Sequence, residues 1–218
     1  MPAKQASSGM AQRRAERRQA DRRNSEERWV AIMEAGSEVF RRLGYAQATL
    51  EDVAREVGIN RATLYYYVAD KEELLIAILD EPIHRMTSDL RDIAALPLTP
   101  TERLRKAVTH HMQTLEDNYP ELFVFLAENL HVLTVGSDRD IQVNAHNYGE
   151  VMVGLLEEGI AAGEFRADLD PRLVMLGIIG MLNWSHRWYT PDGKRTLPEI
   201  GEEFASLVLE GLSEPSAP

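Results

Sequence analysis

Residues 49–74, TLEDVAREVGINRATLYYYVADKEEL, leave this chain little choice of local structure. Thr49 can cap a helix, with Asp52 three residues on as the reciprocal partner. Leu50, Val53, Ala54 and Val57 follow at helical spacing and form one apolar stripe. Gly58 stands where a chain leaving a helix adopts positive φ. Asn60 can cap a second short helix carrying Arg61, Thr63, Leu64, Tyr65, Tyr66 and Tyr67. Asp70 and Glu73 form the next capping box. An ordinary helical hairpin is the bland alternative. Three adjacent tyrosines cannot all be buried by so short a helix, so at least one faces outward. A helix–turn–helix whose second helix is polar, basic and aromatic suits a DNA major groove.

The same residues carry a family resemblance. Thr49, Val53-Ala54, Val57-Gly58-Ile59, Thr63-Leu64-Tyr65-Tyr66-Tyr67-Val68 and Lys71-Glu72-Glu73-Leu74 are similar to the DNA-binding signature of TetR-type repressors. The resemblance covers residues 28–80 in sequence and the rest in architecture. It implies that Arg61, Thr63 and Tyr66 face bases, that Thr49, Tyr65, Tyr67 and Lys71 touch phosphates, and that Leu64 is core. Arg is also the commonest specific reader of guanine.

The net charge of −11 first argues against a nucleic-acid partner, but the charge is unevenly placed. Residues 1–71 hold 13 Lys+Arg against 10 Asp+Glu, and residues 72–218 hold 11 against 25. A basic-leaning head therefore precedes an acidic body. Residues 1–22 read as a basic, flexible arm, disordered through residue 11. Its arginines, Arg22 and Arg23 among them, would follow phosphates or enter the minor groove. The alternative is a solvated helix with internal ion pairs.

The remaining signals are helical. Trp29 to Leu43 carries one apolar face and ends at Gly44. A long stripe runs from Lys71 to about residue 95 with Pro82 inside it, which should kink it. Thr99-Pro100 and Glu102 open another helix, Pro120 the next, and one spans about 138–162. Asp170-Pro171 and Thr196 open the last two. The expectation is an all-α protein of about nine helices. Residues 23–70 would form a helix–turn–helix domain, residues 71–213 a ligand-binding and dimerisation domain, and residues 214–218 a frayed tail.

No cysteine is present, which excludes disulfides and thiolate metal sites and suits a cytoplasmic, nucleoid-associated protein. The apolar run Leu173–Leu182 is too short to span a bilayer, and no signal-peptide core opens the chain. No HExxH, phosphate-binding Gly-rich loop or nucleophile elbow occurs. No catalytic residue, metal or cofactor is expected, and an enzyme with an accessory helix–turn–helix is the weakest reading.

His111, Met112, Leu115, Phe123, Leu126, Asn129, Leu130, His146, Asn147, Met152 and Trp184 mix apolar bulk with isolated polar groups, as small-molecule pockets do. Plain core packing would give a similar pattern. The segment Trp184-x-x-x-Trp188-Tyr189-x-Pro191-x-Gly193 resembles a block in TetR-type regulators of lipid and steroid-acid breakdown, several of which respond to acyl-CoA thioesters. It implies a small hydrophobic effector and a place for the block at a subunit interface. The preceding helix, with Gly177 and Gly180, is apolar around most of its circumference and must be covered, either within the monomer or by a partner subunit. The interface expected is formed by Gly177, Gly180, Trp184, Trp188 and Leu207. The partners expected are thus a palindromic double-stranded DNA operator, a second copy of the chain, and an apolar effector with an anionic group, such as an acyl-CoA. Arg139, Arg166, Arg172, Arg187, Lys194 and Arg195 could receive the anion. A lipophilic cation, held by Glu128 or Glu150, is the rival, and a constitutive DNA binder the third possibility.

Overall fold

The computed structural model describes residues 3–128 and 139–213. Asn129, Leu130 and the tail at 214–218 lie outside the described residues. Among those described, the chain forms nine α-helices and no strand. They are α1 (Ala3–Leu43), α2 (Leu50–Val57), α3 (Arg61–Tyr67), α4 (Lys71–Ala94), α5 (Pro100–Asp117), α6 (Glu121–Glu128), α7 (Arg139–Ala161), α8 (Pro171–Asn183) and α9 (Leu197–Leu212). A short 3-10 turn, Trp184–Arg187, follows α8. None of the described helices is long and apolar enough to cross a membrane.

Residues 3–11 differ from the expectation of disorder, whereas the arginine-rich part of the arm consists of good helix formers. Residues 3–43 form a single helix rather than a disordered lead into a shorter one. The segment is rich in Ala, Gln, Arg and Glu, which lose little freedom in a helix and propagate one already nucleated by packing.

The chain divides into two compact units, residues 1–78 and 79–218, so the boundary falls inside α4. Pro82 lies in that helix. Having no N–H, it leaves the Ile78 carbonyl without its helical partner.

In the first unit, Ile32, Val39 and Phe40 of α1 pack a core with Val53 and Ala54 of α2, Leu64 of α3, and Leu74 and Leu75 of α4, all nearly or fully buried. Both caps of α2 match the sequence. Asp52 N–H donates to Thr49 Oγ1, Thr49 N–H donates to Asp52 Oδ2, and Gly58 leaves the helix at φ +75°. Asn60 caps α3 by accepting from the Thr63 N–H at 2.8 Å.

In the second unit, α5 and α9 lie antiparallel. Arg105 Nη1 donates to Ser206 Oγ, Thr109 Oγ1 donates to Glu202, and the Leu197 N–H donates to Glu116, so one helix advances as the other recedes. Gly201 permits the approach, since a Cβ there would stand 3.1 Å from Met112.

Candidate functional site

The outward face of the helix–turn–helix comes from the register of α3. Leu64 and Val68 turn inward and are buried, which leaves Arg61, Ala62, Tyr65 and Tyr66 exposed. Tyr66 is 83% exposed, the outward tyrosine the sequence demands. The Arg61 guanidinium lies over the Tyr65 ring at 5.0 Å and pairs with Glu51 at 2.9 Å. Thr49 is exposed at the start of α2, and Arg22 and Arg23 are exposed on α1, with Arg23 3.5 Å from Glu27.

Three of the residues assigned to DNA by resemblance are occupied within the head. Tyr67 is half-buried, its ring stacked on Trp29 at 6.1 Å. Thr63 is half-buried and its hydroxyl donates to Asn60 Oδ1 at 3.0 Å. Lys71 is half-buried beside the Tyr45 ring, and its ammonium donates to the carbonyls of Tyr45 (2.5 Å) and Ala48 (3.1 Å). It ties the α1–α2 turn to the start of α4. These three side chains also brace the head, while Arg61, Tyr65 and Tyr66 are exposed on α3.

The second unit contains a cavity of about 460 Å³ lined from α4, α5, α6, α7 and α8. Its walls are mainly apolar, with Met86, Leu115, Phe125, Leu126, Met175 and Ile179 among them. Of the residues expected to bind a ligand, His111, Leu115, Leu126 and His146 line it. The others described are placed elsewhere. Met112 turns to α9, where Gly201 meets it, and Phe123 packs on the rings of Tyr119 and Tyr189. Met152 is buried outside the lining, Asn147 is half-buried, and Trp184 is exposed. Helical spacing shows which residues face inward, but not which of them border a void.

Two polar groupings at the cavity escaped the sequence reading as groupings. His111 Nδ1 is 3.0 Å from the Tyr148 hydroxyl and Nε2 is 3.0 Å from Asn183 Oδ1. Burial lowers the His111 pKa to about 4, so the ring is neutral, and burial likewise raises that of Tyr148. Glu150 and Arg172 form a two-pronged ion pair, at 2.9 and 3.4 Å, between α7 and α8. They are the only acid and the only Arg or Lys in the described lining. Of the other candidate cations, Arg166 pairs with Asp168, Arg195 pairs with Glu203, and Arg187 lies over Trp184.

On α8, Leu173, Leu176, Gly177, Gly180 and the following Trp184 recur at helical spacing and are all exposed, as are Trp188 and, on α9, Leu207. A Cβ at Gly177 or Gly180 would meet nothing within 4 Å.

Comparison with known proteins agrees with both units. The pattern described as "Bacterial regulatory proteins, tetR family" matches residues 32–78, and "Tetracyclin repressor-like, C-terminal domain" matches residues 97–212. The HTH-type transcriptional repressor KstR2 of Mycobacterium tuberculosis is 27% identical over 183 residues, covering 84% of this chain and 92% of the relative. The fatty acid metabolism regulator protein of Bacillus subtilis is 26% identical, covering 85% and 95%. The solved structure of the ketosteroid transcriptional regulator KstR2 of M. tuberculosis superposes with a TM-score of 0.73 at 26% identity, covering 86% of this chain and 96% of that one. The helix–turn–helix, the helical body and both family patterns together place the chain in the TetR family, as a TetR-type DNA-binding transcriptional repressor.

Proposed function

We propose that the chain works as a homodimer that holds a palindromic operator until an apolar, anion-bearing effector of the acyl-CoA class enters the cavity. The observation that carries this reading is the cavity itself: apolar walls from five helices, with Arg172 in its lining. A bulky hydrocarbon group gains from burial there, and a guanidinium can receive a carboxylate or phosphate in two-pronged fashion. Its present partner Glu150 gives it up at little cost, because both side chains are more than one-third exposed and such pairs contribute only about 0–1 kcal/mol. The relatives named for ketosteroid and fatty acid regulation support a lipid-derived effector. The Trp184–Gly193 block supports the thioester class by resemblance.

Arg61, Tyr65 and Tyr66 would enter the major groove, with Thr49, Arg22 and Arg23 toward the backbone. The second copy would cover the exposed face of α8 and α9 at Gly177, Gly180, Trp184, Trp188 and Leu207. Two heads fixed in this way read half-sites one helical turn apart or a multiple of it. The effector acts by preferring a conformation that does not fit that spacing, and only its differential affinity counts. Helix α4 carries residues of the head and, past Pro82, cavity residues Ile83, Met86 and Thr87, which makes it the natural lever. A DNA-bound regulator of this kind would work in the cytoplasm.

Gel shifts with the operator, titrated in parallel with acyl-CoAs and cationic dyes, test the proposal. Release by acyl-CoAs supports it. Release by dyes alone overturns the anionic effector in favour of a cation held by Glu150, and release by neither makes the protein a constitutive binder.

A further inference from the structure

Apart from the Glu150–Arg172 pair, the mainly apolar cavity wall carries His111, Tyr148, Asn183 and Asn144, and the hydrogen bonds of the first three have a direction. A carboxamide oxygen only accepts. With Asn183 Oδ1 facing His111 Nε2, that nitrogen carries the ring proton, and Nδ1 accepts from the Tyr148 hydroxyl. The neutral ring, held so by burial, is the state this order needs. The chain therefore runs from Tyr148 through His111 to Asn183 and leaves the Asn183 amide hydrogens unspent at the cavity. Asn144 of α7 is 7% exposed, lines the same cavity, and has no hydrogen-bond partner among the described residues. A saturated hydrocarbon seated here would cut both carboxamides off from water without offering a partner, which is costly. A pocket shaped only for a saturated hydrocarbon would do better with leucine at position 144, where the carboxamide serves no neighbour among the described residues.

We infer that the ligand of this cavity carries an oxygen acceptor, a carbonyl above all, on its apolar skeleton, received by the amide hydrogens of Asn183 and Asn144. The inference rests on the effector-site reading given above. The acceptor is not the carbonyl of the anionic head. Arg172 and Asn183 stand at the two ends of α8, eleven residues and so about 16 Å apart along its axis. The ligand is an apolar molecule charged at one end and oxygenated far from it.

Calorimetric titration of the full-length protein with stearate and with 12-oxostearate tests this, because the two acids differ only in a carbonyl remote from the carboxylate. The parent is expected to bind the keto acid at least about tenfold more tightly, since a site built to hydrogen-bond rejects the analogue that lacks the group. Asn144→Leu and Asn183→Leu should lose the preference, the ratio of the two dissociation constants falling to about one. Asn144→Leu removes a group with no partner among the described residues, so its fold is safe even if Asn183→Leu, which strips His111 of an acceptor, fails to fold. Equal affinity of the parent for both acids overturns the inference and leaves the effector site standing. So does a preference that survives Asn144→Leu, or an Asn144→Leu protein that weakens both acids alike. Binding of neither acid by the parent overturns the inference, and the effector-site reading is then decided by the acyl-CoA gel shifts.

Discussion

Arg61 Nη1 lies 2.9 Å from Glu51 Oε1, so the first residue of α3 is tied back to the first turn of α2. Both side chains are exposed, and the pair can open when a base edge offers Arg61 two acceptors instead. Arg61→Ala should cost about 1–3 kcal/mol of operator binding at one base position and flatten the preference there. Equilibrium binding to a panel of single-base operator variants reads this. A uniform loss across the panel would make Arg61 a phosphate ligand. Glu51→Gln should leave the base preference intact and raise the association rate, because a negative charge is removed from the DNA-facing side.

Lys71 makes a different prediction from the one its place in the family signature implies. Two of its three donors are spent on the carbonyls of Tyr45 and Ala48. Lys71→Met should lower the stability of the head by about 1.5–3 kcal/mol, the range for hydrogen bonds to a charged group. The slope of log affinity against log salt should fall by clearly less than the roughly 0.9 expected of a single phosphate ligand. Denaturation and salt titration of the same variant check both halves.

Removing residues 1–22 is expected to weaken DNA binding and lower that salt slope by about 0.9 for every phosphate the protein no longer neutralises. The helix continues unbroken into the buried part of α1, so the shortened protein should still fold. An unchanged slope would show that the arginines only solvate the helix.

The head was legible in the sequence because its signals are local. Thr49 with Asp52, Gly58, and Asn60 with Thr63 each act within a few residues, and each does in the structure what its spacing requires. The same holds for the capping boxes at Thr99 and Thr196. The cavity was legible only in part because it is a product of long-range packing. His111, Tyr148 and Asn183 come from three helices, and no short pattern announces that they meet. Met112 is the neighbour of His111 yet faces α9, since adjacent helical residues point about 100° apart. Lys71 and Tyr67 show the converse limit: their places in the family signature do not reveal their contacts with Tyr45, Ala48 and Trp29.

Gly159 and Gly154 lie on the same helix and should respond oppositely to alanine. A Cβ at Gly159 would collide with the buried ring of Phe165, which folds back over α7 after the turn at Gly163. Gly159→Ala should therefore destabilise by about 1–3 kcal/mol through overpacking, partly offset by up to about 1 kcal/mol of helix propensity. At Gly154 nothing lies within 4 Å, and alanine should give the propensity gain alone. Thermal melts of the two variants beside the parent decide it, and a Gly159→Ala protein as stable as Gly154→Ala would mean that Phe165 is loosely held.

The buried imidazole of His111 predicts how stability depends on pH. Its pKa falls from an ordinary 6.5 to about 4 in the fold, chiefly through burial. Between those values the unfolded chain binds the proton and the native one does not, so the unfolded state gains as pH drops. This contribution to stability is complete above about pH 6.5 and is lost progressively down to about pH 4, with no further loss below. The full effect is on the order of 3 kcal/mol, of which about 2 should be gone by about pH 5. Carboxyls held below their usual range, such as that of Glu164 hydrogen-bonded to Thr101, also cost stability as the pH falls, so the parent alone cannot isolate the histidine. His111→Gln keeps a side-chain donor and removes the titration. Urea midpoints of parent and variant at neutral pH and near pH 5 should diverge on acidification, with the parent losing more. A parent–variant difference that stays constant across that range would mean that the ring protonates as readily in the fold as outside it, and that burial does not hold it neutral.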